Sequence, residues 1–291
     1  MTDAHADASK YYVPHGSPWP IVAAVALFSL MLGAVLYLDG VASAWVLLPG
    51  PLLIAFMFAG WFSTVIGENQ HGVYHFREDR SFRMSMMWFI FSEVMFFAAF
   101  FGALFYTRMF AIPWLGGEGA KAMTNFLLWP HYEATWPTNG PANLGGEFSV
   151  LDPWKIPALN TLLLLSSGVT ITFAHWALKK GERKSLVLWM LATIALGFTF
   201  LGFQIHEYGQ AYSEHHNLTL ESGIYGSTFF MLTGFHGFHV TVGAIMLTVI
   251  MLRCAKGHFT PDNHFGFEAV AWYWHFVDVV WLGLFIFVYL V

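Results

Sequence analysis

Cysteine is nearly absent from this sequence: 291 residues contain one, Cys254. A disulfide framework is therefore excluded, and so is any CxxC metal or redox pair. Charge is also scarce. Asp, Glu, Lys and Arg make up 11% of the chain, whereas a soluble domain carries about 25%. A composition this poor in charge points to a membrane protein. The first twenty residues, MTDAHADASKYYVPHGSPWP, lack the charged start and apolar core of a secretory signal. They also contain no Arg, which makes them a poor transit peptide. The net charge of −5 says less than its distribution does.

Apolar surface is what the chain has in excess. It is 57% hydrophobic, with 30 Phe and 13 Trp. A spanning helix needs roughly 20 mostly apolar residues, and seven such runs are present: 20–38, 46–66, 84–107, 158–178, 185–206, 225–252 and 266–291. Aromatic residues near their ends, among them Trp19, Trp45, Tyr106, Trp189, Tyr225 and Tyr289, suit the membrane interface. Helices satisfy their own backbone polar groups, as lipid requires.

The cations set the direction. Lys10, Arg77, Arg80, Arg83, Lys179, Lys180, Arg183, Lys184, Arg253 and Lys256 share one side if the spans alternate. Arg108, Lys121 and Lys155 fall on the other. Ten against three predicts a cytoplasmic N-terminus and an outer C-terminus. The expected fold is an all-α integral membrane protein, a single seven-helix domain over 1–291. Within it lie an inner-side tail (1–19), helices one and two (20–66) and helices three to seven (84–291), with a long outer loop at 110–157. The short connection 39–45 predicts that the first two helices pair antiparallel. GGEGAK in the outer loop lacks a following Ser or Thr and a preceding strand, so it reads as a loop and not a phosphate site. No internal repeat of the inverted-transporter kind is visible.

Glu93 is the residue that asks for an explanation. It lies in WFIFSEVMFFAAFF with no base nearby. About ten residues into its span, at 1.5 Å each, it sits close to the bilayer midplane. A bare carboxylate there costs a few kcal/mol or more, so a neutral acid or a partnered one is expected. The sixth span runs the opposite way and places His236 and His239 at similar depth, three apart on one face. These are the expected partners of Glu93. No chain of further acids runs through the third span, which argues against a proton wire.

Fourteen histidines invite a metal reading. His175, His206, His236, His239 and His275 fall in or at the ends of spans. Their spacing is weak evidence, however. HEYGQAYSEHH (206–216) lacks HExxH spacing and reads as a solvated outer loop. His275 and Asp278 share a helix face and read as a polar packing pair. No metal is expected. Gly197, Gly202, Gly234, Gly237 and Gly243 are expected to let helices approach closely.

Four segments carry a resemblance: SEVMFFAAFF, LNTLLLLSSGVTITFAHWAL, GIYGSTFFMLTGFHGFHVTVGAIML and HFGFEAVAWYWHFVDVVWL. They resemble subunit III of the haem-copper cytochrome c oxidases, in order from about residue 60 to the end. The resemblance implies a seven-helix bundle in which helices one and two are separated by a lipid cleft from helices three to seven. It implies a subunit without a redox centre or catalytic residue, haem a and copper lying in partner subunits I and II. The single cysteine fits, since the dinuclear copper site of subunit II needs two. Bound phospholipids and support of proton uptake by subunit I follow, as does contact with cytochrome c only through the complex; nucleic acid is not a partner.

Site by site, the resemblance matches Glu93 to a carbodiimide-reactive buried glutamate. Glu68, His75 and Arg253 match positions associated with lipid headgroups. Gly67 departs from the pattern, standing where many relatives carry a base. The outer loop is longer than in mitochondrial members, which suggests a bacterial inner membrane, with a mitochondrial inner membrane as the alternative. A quinol oxidase or related haem-copper reductase is the nearest alternative function. A stand-alone seven-helix transporter is the alternative of another class.

Overall fold

The computed structural model describes residues 11–13 and 16–290. Most of the tail expected at 1–19, with Lys10, lies outside the described residues, as does Val291. Among the described residues, seven helical spans are long and apolar enough to cross a membrane, and no strand is present. By contact density the chain divides into two compact units, 1–84 and 85–291.

The first unit holds α1 (Trp19–Leu38) and α2 (Pro49–Gln70), joined through a 3₁₀ turn at Ala44–Leu47. Both helices open on proline at the first turn, where the missing N–H costs nothing. They pack on each other, as the short connection predicts. Gly50 permits the approach: a Cβ there would lie 2.7 Å from the backbone N of Leu30. Trp19 Nε1 also donates to Thr64 Oγ1 at 3.2 Å, tying the two ends.

The third helix, α3 (Phe76–Tyr106), begins at Phe76 and not at 84. Hydropathy ends the apolar run at the arginines, but the helix continues through them. Asp79 and Arg83 form an i,i+4 ion pair of 2.7 Å. Glu78 reaches back to accept the backbone N–H of His75 at 2.9 Å, in the manner of a capping box.

The second unit contains the rest of α3, two short loop helices, α4 (Ile112–Leu115) and α5 (Ala122–Leu128), and four long helices. These are α6 (Ile156–Lys179), α7 (Arg183–Ala211), α8 (Gly223–Lys256) and α9 (Phe265–Leu284), the last extended by a π turn at Phe285–Leu290. GGEGAK forms a turn and a short 3₁₀ segment ahead of α5, with no strand before it.

Trp274 of α9 is the hub of the bundle and is fully buried. Its indole N–H donates to Ser167 Oγ of α6 at 2.8 Å. Gly197 of α7 and Gly243 of α8 make room for its ring: a Cβ at either would come within 3 Å of it. The other three glycines expected at helix contacts do not serve that role. Gly202 and Gly237 face open space, and Gly234 meets just the Tyr208 hydroxyl. Trp281 repeats the pattern one layer away, donating to Thr161 Oγ1 at 2.9 Å. Buried indoles thus find hydroxyl acceptors, which holds their orientation without exposing a polar atom to lipid.

The long loop between α3 and α6 folds back on the α7–α8 connection. Ser149 N donates to His216 O at 2.9 Å, and Phe148 stacks on Tyr225 at 5.6 Å.

Candidate functional site

Glu93 projects from α3 toward α8. Its Oε2 lies 2.9 Å from Nε2 of His239. The other ring nitrogen, Nδ1, lies 2.6 Å from the carbonyl of Phe235, one turn back on α8. A carbonyl can only accept, so Nδ1 carries a hydrogen. Nε2 then either accepts from a protonated Glu93 or, in an imidazolium, donates to its carboxylate. One proton lies between the two groups in both cases, and the pair has no net charge. This answers the cost of placing an acid in the bilayer: the helices carry a neutral unit, not a lone ion.

The surroundings are aromatic. The His239 ring lies 5.0 Å from Phe97, 6.0 Å from Phe96, and 6.4 Å from both Tyr273 and Phe276. The side chain of His239 is 9% exposed and that of Glu93 23%. Water therefore competes weakly for the bond, and α3 is held to α8 by it.

His236 is not brought to Glu93. Three residues span 300° of helical turn, so His236 points about 60° away from His239. It is fully buried and donates from Nε2 to the Val277 carbonyl of α9 at 3.1 Å, with its ring against Trp281 and Phe200. His275 and Asp278 are neighbours on α9, but at 3.7 Å they are not hydrogen-bonded. Asp278 Oδ2 lies instead against the Cα of Gly168 on α6, where a Cβ would collide with it.

Glu68 and His75 belong to the first unit. Glu68 accepts from the Tyr74 hydroxyl through a short bond and from the Tyr12 hydroxyl at 3.3 Å. Burial, then the Glu68 carboxylate, pushes the Tyr74 phenol well above its ordinary value; Tyr12 shifts the same way. The backbone N–H of His75 is held by Glu78. Arg253, in the second unit, ends α8 with its guanidinium over the Phe259 ring at 4.4 Å.

Two acids escaped the sequence reading. Glu78 was assigned to a loop, yet it is buried and also accepts the backbone N–H of Tyr12 at 2.6 Å. Glu207 was assigned to a solvated loop, but α7 runs on to Ala211 and buries it. A capping-box register gives away the first. Nothing in the local pattern gives away the second, because HEYGQA is polar and helix-compatible at once.

A family model for cytochrome c oxidase subunit III matches residues 9–291. The chain belongs to that family. Similar curated proteins include cytochrome c oxidase subunit 3 of Marchantia polymorpha, 41% identical over 96% of this chain and 95% of the relative. That of Danio rerio is 39% identical over 97% of each, and that of Arabidopsis thaliana is 40% identical over 96% of each. As a subunit III, the chain is a multi-pass membrane component of a respiratory oxidase complex. The Glu93–His239 pair and the Trp274 hub therefore belong to a helical subunit of that complex.

Proposed function

We propose that this subunit III is a non-redox component that stabilises subunit I, carries structural phospholipids and supports proton uptake. Haem a and copper are assigned to partner subunits I and II. The observation that carries this reading is the Glu93–His239 pair. The acid at mid-membrane is paired with one histidine whose ring lies among aromatic side chains, an arrangement suited to joining helices. We assign phospholipid headgroups to Glu68 at the end of α2, to His75 just before α3 and to Arg253 at the end of α8, where polybasic and polar helix ends meet phosphate. We further assign the cation-rich loops to the cytoplasmic face, on the asymmetry of Lys and Arg, and the membrane to a bacterial inner membrane, on the length of the loop 110–157.

The test is a reduced-minus-oxidised visible spectrum of the purified complex before and after this subunit is stripped in mild detergent. The haem signal is expected to stay entirely with subunits I and II. Haem remaining on the stripped subunit would make it a redox chain and overturn the proposal.

A further inference from the structure

Three donors from two helices meet at the end of the bundle that carries Lys179 and Lys180. His175 lies one turn before the end of α6, His264 immediately precedes α9, and Glu268 is in the first turn of α9. His264 Nε2 lies 3.1 Å from Glu268 Oε1, and His175 Nε2 lies 3.6 Å from the same oxygen. One ligand atom from each residue falls within 4.8 Å of the others. His264 and Glu268 are four apart and share a helical face; α6 supplies His175. The expectation of no metal took in His175 but not its approach to His264 and Glu268.

A second observation fixes the tautomer. His264 Nδ1 lies 3.2 Å from the Thr260 carbonyl. The carbonyl can only accept, so Nδ1 carries the hydrogen and Nε2 offers a lone pair toward Glu268. A backbone carbonyl behind the ring is the usual support of a metal-ligating histidine. Nε2 of His264 and Nε2 of His175 are both buried, and neither makes a hydrogen bond. The side chain of His264 is 8% exposed and that of Glu268 13%. A lone pair on His264 Nε2 and an oxygen of Glu268 thus face each other in a dry place, an approach that a bound cation relieves as the shared proton does in the Glu93–His239 pair.

The spacing suits a metal ion. Zinc bonds of about 2.0–2.1 Å to nitrogen and oxygen give a tetrahedral donor–donor edge of roughly 3.3 Å. The two separations of 3.1 and 3.6 Å bracket that edge. Lys179, one turn beyond His175, is exposed. The side chain of His175 keeps 24% exposure, which leaves a path for an ion from the aqueous side.

We propose that His175, His264 and Glu268 form a site for a divalent cation of the zinc class, with a fourth position for water. Two imidazoles and one carboxylate suit Zn²⁺ and not Ca²⁺ or Mg²⁺, which take shells of oxygen. The bound ion ties the start of α9 to the end of α6. The site shares no residue with the Glu93–His239 pair.

The test uses the intact oxidase complex, treated with chelator and then equilibrated with saturating Zn²⁺. Diffraction at the zinc absorption edge is expected to show an anomalous peak between the three side chains. No peak there overturns the proposal, even if zinc appears elsewhere in the complex. Metal analysis of the complex carrying Glu268→Gln or His264→Gln is expected to show one Zn²⁺ fewer than wild type, and equal zinc content also overturns it. The wild-type diffraction result stands by itself if neither variant assembles.

Discussion

In α1 and α2, 11% of each apolar window is buried; in α6 through α9 the share is 33 to 50%. The two regions have similar apolar content but reach stability differently. Lipid tails are as apolar as leucine, so the bilayer itself supports the hairpin, and its helices touch at a few places, among them Gly50 against Leu30 and Trp19 against Thr64. The bundle buries its own surface, and burial obliges each indole and imidazole to find a partner. That explains why Trp274, Trp281, His236 and His239 all carry specific hydrogen bonds. It also explains why an exposed indole such as Trp45 does not need an equivalent.

Substitutions at matched residues in the two regions test this contrast. Trp274→Ala removes the hub ring and the indole donor to Ser167, whose hydroxyl keeps its bond to the Leu164 carbonyl, and it should cost about 3–5 kcal/mol. Thermal unfolding of the assembled complex should show the loss, or the subunit should dissociate. Gly50→Val forces a side chain against the Leu30 backbone and should cost about 1–3 kcal/mol, confined to the hairpin. Limited proteolysis near residues 39–48 is the readout.

A smaller effect is expected at Tyr74. Its phenol is held above the unfolded value of about 10. A raised phenol favours the neutral form, so its contribution is complete below about pH 10 and fades as pH climbs through the higher folded value. The wild-type thermal midpoint should therefore fall more steeply above pH 10 than that of Tyr74→Phe. Trp45→Ala, at an exposed position, should change stability by less than about 0.5 kcal/mol. A large effect there would show that the hairpin is held by a protein contact and not by lipid.

Much of this was legible in the sequence. Seven apolar runs carry the fold, because lipid demands long self-satisfied helices. The depth of Glu93 against His239 was legible too, since opposite-running helices of known rise place residues at known heights. His236 was not separable from His239, because depth fixes height and not azimuth. Helix ends were misjudged wherever polar residues continue the helix, as at Phe76 and Ala211. Glu207 was lost for that reason. The His264–Glu268 pair has a readable spacing, but the arrival of His175 depends on how α6 packs on α9, and no local pattern encodes that.

The central claim is that Glu93 and His239 act as one neutral unit joining α3 to α8. A double-mutant cycle in the assembled oxidase tests it most directly, using Glu93→Ala, His239→Leu and both together, with Glu93→Gln as the conservative control. Each single change strands a buried polar group and should cost about 1–3 kcal/mol, while the double change should cost less than the sum of the two. Glu93→Gln, whose amide can donate to Nε2, should stay near wild type in stability and turnover. Additive single losses, or loss of turnover in a stable Glu93→Gln complex, would contradict the account.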